Sequence, residues 1–132
     1  MKMKLVIFVF LLTTVGFLSS CDKNKGDFTI EFINPVDEAI VSDAANLQIE
    51  VKFDSPVELE EIELSLTVDS LGAAEIAPFP IQTHDHVKTK TITQNVDLSG
   101  FPSGTAFRLK AKSCKNHDCT EKLEQSVRFT IP

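Results

Sequence analysis

The sequence contains no tryptophan, no tyrosine and only five glycines in 132 residues. Tryptophan and tyrosine best combine a flat apolar face with a polar handle, so their absence disfavours a sugar-binding surface. Ten phenylalanines remain, and seven of them follow residue 20. Most of those seven fall on positions expected to point inward. Phe79 and Phe101 are the two expected at the surface, and Phe101 is well placed to plug one end of a domain. The few glycines are scattered, so there is no glycine-rich phosphate loop and no Gly-x-Ser-x-Gly nucleophile turn. Serine, histidine and aspartate are present without an arrangement that activates a nucleophile, and a catalytic role is disfavoured. Basic residues are also scarce: 13 Lys and Arg stand against 19 Asp and Glu. A chain of this charge repels nucleic acid and anionic lipid surfaces. Internal repeats and low-complexity stretches are absent.

What is present begins at the amino terminus. Lys2 and Lys4 precede an apolar run from Leu5 to Leu12, which continues more weakly to Leu18 and ends at Leu18-Ser19-Ser20-Cys21. Charge, apolar core and small residues in this order form a secretory signal, too short for a comfortable membrane span. The last four residues resemble the lipobox of bacterial lipoproteins. That resemblance covers residues 1–21 and implies diacylglyceryl transfer to the Cys21 sulfur, cleavage before Cys21 and acylation of the new amino terminus. Each buried methylene of a palmitate-like chain contributes about 0.8 kcal/mol, so several chains hold a protein durably on a bilayer. The competing reading is an ordinary signal peptide with Cys21 a bystander.

Cleavage removes two lysines and no acids, leaving 11 basic against 19 acidic side chains, a net charge of −8. The division expected is a helical signal peptide over 1–20, a lipidated cysteine and tether over 21–27, and one domain over 28–132. Six extended tether residues reach about 20 Å at most, which keeps the domain near its membrane. The implied location is a bacterial cell envelope, with the outer membrane favoured over the inner and the periplasmic or surface face open. Asp22 resembles an inner-membrane retention signal of some Gram-negative lineages, while Asp-Lys-Asn-Lys lacks the acidic run that marks surface export in others.

With Cys21 assigned to lipid, Cys114 and Cys119 make an even pair in an oxidising compartment. Their spacing suits a disulfide across the mouth of a tight hairpin. The alternative, a two-thiolate metal site, lacks a second cysteine pair.

After the tether the apolar pattern has period two, the signature of strands. Phe28, Ile30 and Phe32 alternate with polar residues, as do Leu47 to Phe53, Ile62 to Val68, Phe107 to Ala111 and Val127 to Ile131. Ile92, Val96 and Leu98 mark another strand, and a proline-flanked piece from Ile76 to Ile81 belongs at a sheet edge or in a loop. Asp54-Ser55-Pro56 reads as a turn. Seven short strands without a convincing amphipathic helix argue for an all-β, two-sheet antiparallel sandwich. Ile30-Glu-Phe-Ile-Asn-Pro35, Ser99-Gly-Phe-Pro-Ser-Gly104 before Phe107, and Val127-Arg-Phe-Thr-Ile131 resemble immunoglobulin-like domains of bacterial surface and periplasmic lipoproteins. The resemblance implies architecture only, because this fold hosts many functions.

In such a sandwich the third strand pairs with the sixth. That sets Glu61 and Glu63 against Arg108, Lys110 and Lys112. The alternative use of this basic row is a docking surface.

The histidines invite the sharpest expectation. His84 and His86 flank Asp85, and residues two apart on a strand point the same way. If the strands alternate in direction, the connections after strands two, four and six share one end. Those connections contain Asp54 to Glu58, His84 to His86, and His117-Asp118, and the amino terminus lies at the same end. Three imidazoles with nearby carboxylates suit zinc or copper(II). The plain alternative is polar loops in which Asp85 and Asp118 make turn hydrogen bonds. Two roles therefore stand side by side. One is a non-catalytic, lipid-anchored binding or structural domain partnered by the membrane through its lipid and by an envelope protein; the other is a metal-binding lipoprotein using His84, His86 and His117.

Overall fold

A computed structural model of the chain describes residues 27–132; the expected helical signal peptide, Cys21 and most of the expected tether lie outside the described residues. The described residues are all β. Eight strands follow in order: β1 Thr29–Asn34, β2 Ala39–Ile40, β3 Leu47–Leu59, β4 Glu61–Val68, β5 Ile81–Thr83, β6 Val87–Val96, β7 Ala106–Cys114 and β8 Lys122–Thr130. They form a three-stranded sheet, β1-β3-β6, facing a five-stranded sheet, β2-β8-β7-β4-β5. Every pairing is antiparallel except β2 with β8. The chain crosses between the sheets five times, at β1–β2, β2–β3, β3–β4, β5–β6 and β6–β7, and the resulting strand orders are the immunoglobulin-like form of sandwich.

Period-two patterning accounts for the core. Ile49, Val51 and Phe53 of β3, Leu64 and Leu66 of β4, Phe107 and Leu109 of β7, and Phe129 of β8 are fully enclosed between the sheets. Burying a side chain of this size contributes about 1.5–3 kcal/mol. Phe107 stacks on Phe129 with ring centroids 5.4 Å apart, and Phe101 meets Phe107 edge-on at 5.1 Å. Phe101 is thus the end plug its position suggested.

Three details differ from the sequence reading. Phe79 is not a surface residue: it is only 5% exposed and joins the core cluster. The loop before β5 folds over the β4 edge, with Ile76 donating its backbone N–H to the Leu66 carbonyl. Asp54-Ser55-Pro56 is not a turn, because β3 continues to Leu59 through a register irregularity between Asp54 and Leu59. Such a bulge is where a sheet accommodates a proline. The piece from Ile76 to Ile81 lies in a loop and enters the edge strand at Ile81, as its prolines suggested. The two-residue β2 is an additional strand, held because Val41 donates to the Thr130 carbonyl at 3.0 Å.

The β4–β7 register sets Glu63 opposite Lys112. Lys112 lies 3.6 Å from Glu61 and 3.5 Å from Glu63, so part of the expected cross-strand charge pairing is formed. Arg108 departs from it and turns to Asp69 at 2.9 Å. Ser65 takes the place opposite Lys110, and its hydroxyl donates to the Glu75 carboxylate in the following loop.

Candidate functional site

Three chain connections meet at the end of the sandwich where β1 begins. Thr29 is registered with Asp54, and Leu59 with Val87, which brings the β3–β4 turn beside the start of β6. The β7–β8 hairpin reaches the same end, and its Lys115 ammonium sits 5.1 Å from the centre of the Phe28 ring.

Glu60 occupies the single residue between β3 and β4, and its backbone N–H donates to the Cys114 carbonyl at 2.9 Å. This bond ties the turn to the far end of β7. Cys114 and Cys119 are disulfide-bonded, with Cα atoms 5.0 Å apart, so the hairpin carrying His117 is closed at its base. Within the loop Asn116 donates to the Thr120 hydroxyl at 2.6 Å and accepts from the Glu121 N–H at 3.0 Å. Asp118 accepts from the Thr120 hydroxyl at 3.0 Å. The loop is therefore pinned by its own polar groups, and the exposed His117 ring stands out from it.

His84 and His86 do not lie on a strand. They occupy the connection after Thr83, and His86 has a left-handed backbone with φ of 51°. The sequence expectation of one strand face is replaced by a loop, yet the two rings reach adjacent carboxylates. His84 Nε2 lies 3.5 Å from Glu61, and His86 Nδ1 lies 3.3 Å from Glu60. His117 Nδ1 lies 4.0 Å from the same Glu60 oxygen as His86. The five residues line one cleft of about 240 Å³, every one of them ionisable. As the side chains stand, no three of these donors surround a common point at ligating distance among the described residues.

The carboxylates differ from those the sequence suggested. Asp85 is committed to Lys90 at 2.5 Å, Asp118 to its own turn, and Asp54 accepts from Thr89 at 3.1 Å. Glu60 and Glu61 take their place because β3 runs five residues past Asp54, an extension that strict alternation could not reveal. Glu61 is shared with Lys112, whereas no Lys or Arg reaches Glu60 among the described residues and its neighbours at ion-pair distance are the His86 and His117 rings.

A second charged cluster lies at the opposite end. Asp69 receives Arg108 Nε at 2.9 Å and Arg128 Nε at 2.8 Å, and Arg128 also reaches Glu38 at 3.3 Å. Hydrogen bonds from Arg108, then from Arg128, hold the Asp69 carboxyl below its ordinary value.

No protein-family model matches the chain, and no curated protein matches it. Among solved structures, wild-type OgpA from Akkermansia muciniphila is similar at 13% identity and a TM-score of 0.49, over 80% of this chain and 28% of that one. A likeness this distant carries no weight for function.

Proposed function

We propose that the chain is a lipid-anchored lipoprotein of a bacterial envelope whose sandwich is a non-catalytic binding or structural domain. One observation carries this reading: Lys2 and Lys4, the apolar run and Leu18-Ser19-Ser20-Cys21 occur together and in order. Cysteine parity supports it. Cys114 and Cys119 are bonded to each other, which leaves Cys21 as the one cysteine without a partner in the disulfide. Only seven residues separate Cys21 from the start of β1 at Thr29. At 3.3–3.6 Å per extended residue that tether reaches at most about 25 Å, which keeps the end of the sandwich that carries Glu60 close to the bilayer. The partner of such a domain is the membrane itself, through the lipid, and an envelope protein met at short range.

The test is mass spectrometry of the amino-terminal peptide from membranes, together with incorporation of a palmitate analogue. The expected product begins at Cys21 bearing diacylglyceryl and an amide-linked acyl chain, and Cys21→Ala abolishes labelling. A mature chain that begins elsewhere with an unmodified Cys21 thiol overturns the reading. Protease treatment of intact cells then separates a surface from a periplasmic location.

A further inference from the structure

We infer that the cleft formed by Glu60, His84, His86 and His117 is a binding site for one divalent transition-metal ion of the zinc class. This inference is independent of the lipid anchor and stands on the geometry of the cleft.

The spacing of the donors is the first argument. An N–H···O hydrogen bond spans about 2.7–3.2 Å, and charge-assisted ones lie at the short end. All three imidazole–carboxylate contacts are longer, at 3.3, 3.5 and 4.0 Å. Two ligands of a tetrahedral ion held at 2.0–2.1 Å stand about 3.3–3.4 Å apart. The Glu60–His86 distance is such an edge, and His117 is a short swing from completing a second edge on the same oxygen. The approach costs little, because the His117 ring is fully exposed and nothing packs against it to hold it back. The base of its loop is meanwhile fixed by the Cys114–Cys119 bridge.

Donor chemistry is the second argument. The cleft is lined by three imidazoles and two carboxylates, with no apolar residue and no Lys or Arg. A hydrophobic ligand finds no surface there, and an anion meets Glu60 and Glu61. Nitrogen donors in this proportion select zinc, copper(II) or nickel over calcium or magnesium, which require oxygen. Glu60 Oε2, His86 Nδ1 and His117 Nδ1 form the set nearest closure. His84, oriented by Glu61, is the fourth candidate donor, and Lys112 holds the other Glu61 oxygen at 3.6 Å.

The experiment is a zinc titration of the full chain, untagged and in detergent, read by competition with a chromophoric chelator. One zinc per chain is expected, with a dissociation constant in the micromolar range or tighter. Glu60→Gln and His86→Ala are each expected to weaken binding at least tenfold, and the triple variant H84A/H86A/H117A to abolish it. Circular dichroism of each variant verifies that the sandwich is intact, as expected for substitutions in exposed connections. Magnesium in place of zinc should give no competition. Absence of zinc binding below millimolar concentration overturns the proposal, as does a triple variant that binds zinc within twofold of the parent.

Discussion

The two ends of this sandwich each gather carboxylates and cations, but they use them differently. At one end Asp69 is gripped by two guanidinium groups at 2.8–2.9 Å, and the charges close on one another. At the other end Glu60 faces two imidazoles at 3.3 and 4.0 Å and no Lys or Arg among the described residues. Planar guanidinium donors satisfy a carboxylate in place, with hydrogen bonds on top of charge. Imidazoles keep lone pairs that can turn to a metal. One cluster is a structural fastening; the other is open to a ligand.

Several substitutions would break or sharpen this contrast. The largest effect is expected beneath the Asp69 end, where Phe107→Ala removes the ring between Phe101 and Phe129. A loss of about 3–5 kcal/mol follows from core truncation of this kind, measured by urea denaturation. Removing the bridge by C114S/C119S should cost about 2 kcal/mol for so short a loop. It should also weaken zinc binding, because the loop carrying His117 loses its closed base; unchanged zinc affinity would show that the bridge does not position that ring.

Smaller effects distinguish the two carboxylates. Asp69→Asn should lower the melting temperature slightly, whereas Glu60→Gln should leave it unchanged without metal. The pH dependence of the first follows from its sign. The folded-state Asp69 carboxyl is held below its ordinary value of 3.8, chiefly by the Arg108 hydrogen bond and then by that of Arg128. Its contribution is therefore complete above that ordinary value and disappears as the pH falls through the lower folded-state value. The melting-temperature difference between parent and Asp69→Asn should accordingly be largest near neutrality and shrink in strong acid. A difference that grows on acidification would contradict the assignment.

Much of the architecture was legible along the chain because a half-buried strand imposes a period of two. Ile49, Val51 and Phe53, and likewise Leu64 and Leu66, alternate in sequence and are enclosed in the fold. The Cys114–Cys119 pair was legible from spacing and parity. The meeting of three connections, two of them bearing histidine, followed from counting alternating strands. Other features left no periodic trace. Two-residue β2 is too short to show a pattern, and Phe79 sits between prolines where alternation has no meaning. Pro56 looked like the end of a strand because its lack of an N–H usually ends pairing, and a bulge absorbed it instead.

By itself, the order of residues determined that residues 28–132 form a strand-rich domain, because side-chain polarity and backbone preference act over a few neighbouring residues. Only the tertiary structure decided which carboxylates face the histidines. Glu60 and Glu61 lie more than twenty residues from His84 and more than fifty from His117, and no local preference links them. Their proximity depends on sheet register and on the length of β3, both set by packing across the whole core.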